Sequence, residues 1–119
     1  MRVGIDLVRV ADIAASVEEH GQRYLDRVFT AQEQADCRGV ALKLAARFAA
    51  KEAVMKVLEV GRDDALPWTD VEVVRQTAGA PRVALHRQAA ELARSSGITE
   101  LALSFTHEDE YAAAVVVGT

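Results

Sequence analysis

The sequence predicts an α+β fold in which a small, mostly antiparallel sheet packs on a long central helix. Three observations support this prediction. Residues 40–59 carry an apolar stripe at helical spacing, residues 71–85 and 101–117 each have the pattern of a β-hairpin, and residues 2–8 are short, β-branched and apolar. Because helical and strand patterns are mixed along the chain and hairpins are antiparallel, the α+β class follows.

The first element is expected to be a buried strand at residues 2–8, interrupted only by Asp6. A buried position is indicated because the neighbouring side chains are β-branched or aliphatic. A helix is then expected from Asp12 to about Glu19, with Gly21 as its stop.

A second, short helix is expected to begin at Thr30. Thr30 and Glu33 have the spacing of a capping box. The Thr30 hydroxyl can accept a hydrogen bond from the Glu33 amide, and the Glu33 carboxylate can reach back to the Thr30 amide. This reciprocal arrangement is a specific signal for a helix N-terminus.

The longest helix is expected from about Val40 to Glu59, closed by Gly61. Its apolar residues recur at steps of three and four and form one stripe. Much of that stripe is alanine, so a neighbouring backbone can approach closely, and we expect a sheet to lie against it. The stripe consists of Leu42, Ala46, Ala49, Ala50, Ala53, Val54 and Val57.

The second half of the chain predicts a loop, two hairpins and one helix. Residues 63–67 are expected to form a loop, and residues 71–75 and 82–85 two strands around the turn Ala78-Gly79-Ala80-Pro81. A helix follows at residues 88–95 and ends at Gly97. Strands at residues 101–106 and 111–117 then flank an acidic turn that begins at His107.

Composition limits the classes of function. The 119 residues have the size of one domain, which we expect to span residues 1–119. A net charge of −4 argues against broad nucleic-acid binding, since that needs a basic surface. No apolar run approaches the ~20 residues of a membrane span, and Asp6 within the first apolar run argues against a signal peptide.

Cys37 is the only cysteine, so no intramolecular disulfide is possible. This is compatible with a reducing compartment, and we expect a cytoplasmic protein. A catalytic thiol is disfavoured because no histidine lies near Cys37 in sequence. A chain of this length buries a modest core, and oligomerisation would add to it.

Asp6 is the first candidate for chemistry. A carboxylate in an apolar strand costs several kcal/mol unless a cation or hydrogen-bond donors meet it. Its position leaves two interpretations open. One is a structural ion pair or a cap at the end of the strand, and the other is a metal-binding or catalytic role.

The central helix carries a second candidate group. Glu52 and Lys56 are four residues apart and could form an exposed salt bridge that contributes ~0.2–0.5 kcal/mol. Arg47 and Lys51 have the same spacing but repel each other, so a shared anionic ligand would convert repulsion into binding. By helical angle the two pairs lie on opposite flanks. Spacing alone leaves a structural and a ligand-binding interpretation open.

His107 is the last candidate for chemistry. It could be a turn histidine that pairs with Glu108 or Asp109, or it could contact a ligand. If Asp6 and Glu52 both bind a metal, two oxygen ligands without cysteine favour a hard cation, Mg²⁺ before Zn²⁺.

The ordered segments of this chain resemble the holo-acyl-carrier-protein synthases, the short trimeric branch of the 4′-phosphopantetheinyl transferases. Each segment is a moderate signal, the ordered set is a strong one, and it spans nearly the whole chain. In chain order the matching segments are Gly4-Ile5-Asp6-Leu7-Val8, Val28-Phe29-Thr30 with Glu33, Ala46 to Ala53 with Lys56, Trp68 to Val73, Gly79-Ala80-Pro81, and Leu103 to His107.

The resemblance implies a 4′-phosphopantetheinyl transferase fold and a reaction. Coenzyme A is cleaved at its pyrophosphate, its 4′-phosphopantetheine passes to a serine of a carrier protein, and 3′,5′-ADP leaves. By similarity Asp6 and Glu52 bind Mg²⁺, and Glu52, or a water it orients, takes the serine proton. Lys56 sits at the phosphates and stabilises the transition state or the leaving group. The candidates for coenzyme A contacts are Arg47, Lys51, Lys56, Thr106 and His107.

The resemblance also implies a homotrimer with active sites between subunits. The partner is an acyl carrier protein of fatty-acid synthesis, or a carrier domain of a polyketide or peptide assembly line. The alternative function is a non-catalytic trimer that binds coenzyme A or a carrier protein without transferring anything.

Two features depart from the family pattern. Asp12 stands where many relatives carry arginine for docking acidic carriers, so we expect docking to shift towards other cations or the carrier to be less acidic. The remaining cations nearby are Arg9, Arg23 and Arg27. The segment from Cys37 to Leu44 is also short and less basic than in many relatives, which leaves the contacts to the 3′-phosphate open.

Overall fold

The structure is a computed structural model that describes residues 1–61 and 65–119. The expected loop at residues 63–67 lies partly outside the described residues. The strands are β1 (Arg2–Arg9), β2 (Val71–Val74), β3 (Arg82–Leu85), β4 (Leu101–His107) and β5 (Tyr111–Gly118). The helices are α1 (Val10–His20), α2 (Gln22–Val28), α3 (Ala31–Cys37), α4 (Ala41–Val57) and α5 (Arg87–Ser95), and a 3₁₀ turn spans Trp68–Asp70.

The strands form two antiparallel sheets rather than one. β1, β5 and β4 are neighbours in that order, and β2 pairs only with β3 among the described strands. β1 and β5 pair along their whole length, with Asp6 opposite Ala114. The prediction of an α+β order with antiparallel hairpins is confirmed. The first strand, β1, is therefore hydrogen-bonded to the last strand, β5.

Helix α4 lies against the three-stranded sheet, and its alanines allow the close approach that the sequence predicts. Ala46, Ala49, Ala50 and Ala53 are all buried. A Cβ placed on Gly4 would lie 2.0 Å from the Ala53 carbonyl oxygen. Strand β1 therefore runs directly over the backbone of α4.

The end of α4 differs slightly from the prediction. The helix ends at Val57 rather than near Glu59, and Leu58 is its C-terminal cap. Glu59 has a φ of 55°, so the left-handed residue that ends the helix precedes Gly61. A pattern of apolar spacing does not show where the backbone leaves the helical region.

The prediction that β1 is a buried strand is wrong for one of its faces. Val3, Ile5 and Leu7 are 62%, 65% and 65% exposed, whereas Gly4 and Val8 are buried against α4. Val115 of the neighbouring strand β5 lies on the same outer face and is 37% exposed. Alternation along a strand places successive side chains on opposite faces, and here both faces are apolar although only one is covered.

One helix was not anticipated by the sequence pattern. Gly21, with a φ of 56°, ends α1 as predicted, but α2 begins immediately after it. Val28 of α2 is buried, and Tyr24 and Leu25 pack against the core. The segment is too short for apolar spacing alone to define a helix.

None of the helices in the described ranges is both long enough and apolar enough to cross a membrane.

We predict that Gly4→Ala destabilises the protein by about 3 kcal/mol, because the new methyl group would overlap the Ala53 carbonyl and push β1 off α4. Urea denaturation followed by circular dichroism measures the free energy of unfolding. Gly97→Ala is the matched control, since Gly97 has a φ of +74° but open space around it. It should cost only about 1–2 kcal/mol from backbone strain. Equal losses for the two variants would contradict the close approach.

Candidate functional site

A groove beside α4 brings together the two carboxylates that the sequence singled out. Asp6 comes from β1 and Glu52 from α4, and both line a groove of about 430 Å³. Asp6 lies on the face of β1 that also carries Gly4 and Val8, so the packing of β1 on α4 sets its position. We call this the carboxylate groove. Its lining residues also include Arg9, Asp12, Tyr24 and Phe48.

Lys56 joins the carboxylate groove to the strand above it. Its ammonium donates to the Ile5 carbonyl at 2.7 Å and to Asp6 Oδ1 at 3.3 Å. The pairing that the spacing of Glu52 and Lys56 suggested is not present among the described ion pairs, because Lys56 turns to Asp6 instead. The ion-pair interpretation of Asp6 thus has support, and Glu52 has no ion-pair partner among residues 1–61 and 65–119.

The electrostatics of Glu52 favour a cation in the carboxylate groove. Burial raises the pKa of Glu52, and the nearby Asp6 carboxylate raises this pKa further, while Lys56 lowers it. The groove is lined by the carboxylates of Asp6, Asp12 and Glu52 and by the cation Arg9, and Lys56 pairs with Asp6, so one negative charge remains uncompensated. A divalent cation would relieve this repulsion, so the residues present fit a metal.

The donor set favours a metal with few protein ligands. Within residues 1–61 and 65–119, no group of three or more His, Cys, Asp or Glu side chains converges on a point. Mg²⁺ commonly takes one or two carboxylates and keeps water and substrate phosphates as its other ligands. The pair Asp6 and Glu52 suits that mode.

A second groove, on the other flank of α4, has three cations and a histidine among its lining residues. It has a volume of about 320 Å³ and lies between α4, the β2–β3 hairpin and the end of β4. We call it the cationic groove. It shares no lining residue with the carboxylate groove. Its residues are Asp36, Lys43, Arg47, Arg75, Gln76, Gly79, Pro81, Phe105 and His107.

Arg47 gives the cationic groove an unsatisfied donor. Arg47 is only 7% exposed. Its Nη1 donates to the Lys43 carbonyl at 3.4 Å, and the guanidinium lies 5.7 Å from the centre of the Phe105 ring. Its Nε has no hydrogen-bond partner among the described residues. A buried, unpaired donor costs free energy, and an anion in this groove would satisfy it.

The structure brings Arg47 and His107 together but separates Thr106 from them. Phe105 and His107 pair with buried residues of β5, Ala114 and Ala112, so they face α4. Thr106 projects from the opposite, outer face of the sheet. Its predicted contact to coenzyme A therefore has no support from the cationic groove of the same chain.

Lys51 requires a correction. We expected it to contact coenzyme A, but its side chain has no exposed surface. Its ammonium lies 2.7 Å from Glu33 Oε1 and also donates to the carbonyls of Trp68 and Val71. Lys51 is a buried structural lysine. Helical spacing placed it on the same flank as Arg47 but could not show that α3 and β2 cover it.

Two cations of the cationic groove were missed by the sequence interpretation. Lys43 is four residues before Arg47 and therefore on the same flank of α4, so helical spacing could have found it. Arg75 had no local signal, because only the folding of the β2–β3 hairpin brings it to α4. Lys43 adds positive charge beside Arg47, and Arg75 adds it from the hairpin.

The structural alternative for His107 is not supported. Glu108 does not pair with His107 among the described ion pairs. Its carboxylate instead accepts hydrogen bonds from the amides of Glu110 and Tyr111, both at 2.7 Å.

Cys37 is buried, and burial raises the pKa of its thiol to about 11. The expectation that Cys37 is not a nucleophile is thus in keeping with its surroundings.

A third, smaller pocket of about 170 Å³ lies at the corner between α1 and α2. It is lined by His20, Arg23, Tyr24 and Arg27. Tyr24 also lines the carboxylate groove, so the two surfaces are adjacent. Arg23 and Arg27 have no acidic partner among the described ion pairs.

Comparison with known proteins identifies the family. Residues 2–116 match the 4′-phosphopantetheinyl transferase superfamily. A holo-(acyl-carrier-protein) synthase of Moorella thermoacetica is 43% identical over 120 residues, which cover 98% of this chain and 92% of that relative. One of Chloroflexus aurantiacus is 45% identical over 129 residues, covering 96% and 94% of the two chains.

Solved structures lead to the same family. The Helicobacter pylori holo-(acyl-carrier-protein) synthase in complex with coenzyme A superposes with a TM-score of 0.88 at 31% identity, covering 98% of this chain and 99% of that one. The Mycobacterium tuberculosis acyl carrier protein synthase has a TM-score of 0.75 at 38% identity, covering 99% and 96%. This chain belongs to the 4′-phosphopantetheinyl transferase superfamily, and the resemblance drawn from its ordered motifs is confirmed.

We predict that Lys51→Met lowers the free energy of unfolding by about 3 kcal/mol, because it leaves the Glu33 carboxylate buried without its cation. Urea denaturation at matched protein concentration measures the loss. Lys43→Met is the control on the same helix, because Lys43 is exposed and should change stability by less than about 0.5 kcal/mol. If Lys51 were a ligand contact instead, its variant would keep full stability and only bind substrate more weakly.

Proposed function

We propose that this chain transfers the 4′-phosphopantetheine group of coenzyme A to a serine of an acyl carrier protein. The observation that carries the proposal is the carboxylate groove, which Asp6 of β1 and Glu52 of α4 both line and where Lys56 of α4 pairs with Asp6. Family membership supports the class of reaction, and the relatives named above are holo-(acyl-carrier-protein) synthases. Phosphoryl-group transfer depends mostly on positioning and on neutralising charge, for which these side chains are suited.

Asp6 and Glu52 would hold Mg²⁺ in this proposal. When bound, the metal supplies charge neutralisation at the non-bridging oxygens of the pyrophosphate. Both residues line one groove, and the packing of β1 on the backbone of α4 at Gly4 and Ala53 holds Asp6 beside the helix that carries Glu52.

Glu52 acts on the attacking group in this proposal. The serine oxygen forms a bond to the phosphorus that bears the pantetheine, and the bond from that phosphorus to the bridging oxygen of the pyrophosphate breaks. The serine proton passes to the Glu52 carboxylate or to a water that it orients. The electron pair of the broken bond stays on 3′,5′-ADP, which leaves.

Lys56 stabilises the negative charge that develops on the leaving group. Its ammonium already lies at the rim of the carboxylate groove, held by the Ile5 carbonyl and by Asp6. Its side chain is about half exposed, at 53%, so it can turn towards a phosphate without a change in the backbone.

The cationic groove binds the phosphate-bearing nucleotide half of coenzyme A in this proposal. The buried and unpaired Arg47 Nε supports this assignment, together with the charges of Lys43, Arg75 and His107. Charge-assisted hydrogen bonds to phosphate oxygens are among the stronger contacts that a protein can make. The relative from Helicobacter pylori is described as a coenzyme A complex.

Assembly would join the two grooves. Within one chain they lie on opposite flanks of α4 and share no lining residue. The outer face of the three-stranded sheet exposes Val3, Ile5 and Leu7, which is typical of a protein interface. We propose a homotrimer that covers this face and brings the carboxylate groove of one copy next to the cationic groove of another.

The proposed function is tested by the intact mass of a purified apo-acyl carrier protein after incubation with this protein, coenzyme A and Mg²⁺. We expect the carrier to gain one phosphopantetheine group, and EDTA should abolish the gain. Coenzyme A that binds without any mass gain on fatty-acid, polyketide or peptide carriers would contradict transfer and indicate a binding protein.

Glu52→Gln should reduce transfer by at least about a hundredfold, because it removes both a metal ligand and the proposed proton acceptor. The mass assay measures this rate, and calorimetry measures coenzyme A binding to the same variant. Glu59→Gln is the control, since Glu59 lies past the end of α4 on the surface. If the Glu52→Gln variant transfers at the wild-type rate, the carboxylate groove takes no part in the mechanism.

The position of Asp12 affects how an acidic carrier protein would dock. Asp12 lines the carboxylate groove itself, next to the basic pocket formed by Arg23 and Arg27. An acidic carrier would therefore meet repulsion at Asp12, and Asp12→Arg should raise its kcat/KM about tenfold at low salt. Glu19→Arg makes the same change of charge on the same helix outside the groove and should have a smaller effect. An unchanged rate for Asp12→Arg with an acidic fatty-acid carrier would contradict this interpretation.

A further inference from the structure

The β2–β3 hairpin forms one wall of the cationic groove but has no third strand beside it in the described ranges. A two-stranded ribbon is marginally stable by itself. Its position therefore depends on contacts with the rest of the fold, which include the packing of the buried Val71 and Val73 in the core. Four polar contacts also lie along β2, and they form two groups.

The first group is the buried ion pair of Glu33 and Lys51, which binds the main chain of β2. Glu33 Oε2 accepts from the Val73 amide at 2.8 Å, and Lys51 donates to the Val71 carbonyl. Two charged side chains thus bind the edge of β2 in the place of a neighbouring strand. This group holds the edge of the hairpin in the fold.

The second group surrounds the Glu72 side chain, and we call it the Glu72 bridge. Thr30 Oγ1 donates to Glu72 Oε2 at 2.6 Å, and His86 Nε2 lies 3.0 Å from Glu72 Oε1. Thr30 is the N-terminal cap of α3, and its hydroxyl also accepts from the Glu33 amide at 3.1 Å. The bridge therefore links β2 to the start of α3 on one side and to the end of β3 on the other.

The Glu72 bridge lies at the base of the hairpin, because Glu72 pairs with Ala84 near the start of β2 and His86 directly follows β3. Arg75, three residues beyond Glu72, lines the cationic groove opposite Lys43 and Arg47 of α4. Its side chain is exposed, and no ion pair holds it among the described residues. The direction in which β2 leaves the fold therefore decides how Arg75 approaches Arg47.

We propose that Glu72 is a positioning residue for substrate binding. Its bonds to Thr30 and His86 hold the hairpin so that Arg75 and Arg47 face the same phosphate from opposite walls of the cationic groove. This inference rests on the proposed function, in which that groove takes the nucleotide half of coenzyme A. Loss of the bridge leaves the Glu33 and Lys51 contacts in place, so the edge of β2 stays held while the hairpin loses the side-chain contact that fixes its angle to the start of α3.

The test compares Glu72→Ala with the wild type in the transfer reaction. We expect the KM for coenzyme A to rise about tenfold, while kcat and the KM for the carrier stay within about twofold. Glu72→Gln should recover part of the affinity, because its amide oxygen can still accept from Thr30. Glu91→Ala, at an exposed position on α5, is the control. A fall in kcat with an unchanged KM for coenzyme A would overturn the proposal.

A double-mutant cycle shows whether Glu72 acts through Arg75. Arg75→Gln alone should also weaken coenzyme A binding about tenfold, and Glu72→Ala should add little in that background. Effects that multiply to about a hundredfold would contradict positioning through Arg75. Arg82→Gln is the control for the cycle, since Arg82 is exposed on the same hairpin and does not line the groove.

Calorimetry with coenzyme A separates failure of this inference from failure of the proposed function. If the wild-type protein binds and transfers while Glu72→Ala binds equally well, only the positioning role is wrong. If the wild-type protein neither binds coenzyme A nor modifies any carrier, the proposed function fails and the positioning role fails with it.

Discussion

The Lys51 ammonium and the Glu33 carboxylate lie 2.7 Å apart in the interior, and both side chains are fully buried. Removing two charges from water is costly, so such a pair persists only where further hydrogen bonds satisfy both groups. Here they do, because the Glu33 carboxylate accepts from the Thr30 and Val73 amides while Lys51 donates to backbone carbonyls. The pair thus connects α3, α4 and the free edge of β2. The wall of the cationic groove depends on this connection.

The opposite flank of α4 depends on small residues instead of charge. Because Gly4 and Ala53 bring the backbone of β1 against the helix, Asp6 is carried into the same groove as Glu52. The two flanks of α4 therefore border two chemically different surfaces, one lined by carboxylates of β1 and α4 and one that carries cations. A reaction that needs a metal and an anionic nucleotide requires both, and neither surface reaches the other within one chain. Assembly through the outer face of the sheet is a physical way to join them.

Patterns local in sequence predicted much of this arrangement. The capping box at Thr30, the alanine stripe of α4 and both hairpins could be recognised because each depends on residues near one another in the chain. The burial of Lys51, the exposed face of β1 and the position of Arg75 could not, because each depends on which distant element covers the side chain. Helical spacing alone could not show that Lys51 is fully covered while Arg47 lines the cationic groove, because the two residues lie one turn apart on the same flank of α4. The resemblance to a family supplied the candidate role of Asp6 and Glu52, and the structure supplied their common groove.

We propose that a working site combines the carboxylate groove of one copy with the cationic groove of another, and subunit complementation distinguishes such a shared site from a site within one chain. One variant carries Glu52→Gln, and the other carries Arg75→Ala together with His107→Ala, all at positions that are not fully buried. Each variant alone should be nearly inactive in the carrier mass assay. After co-expression and random assembly, about a quarter of the sites should combine two intact grooves, and activity should return in proportion. Mixed assemblies that stay as inactive as the single variants would contradict the claim.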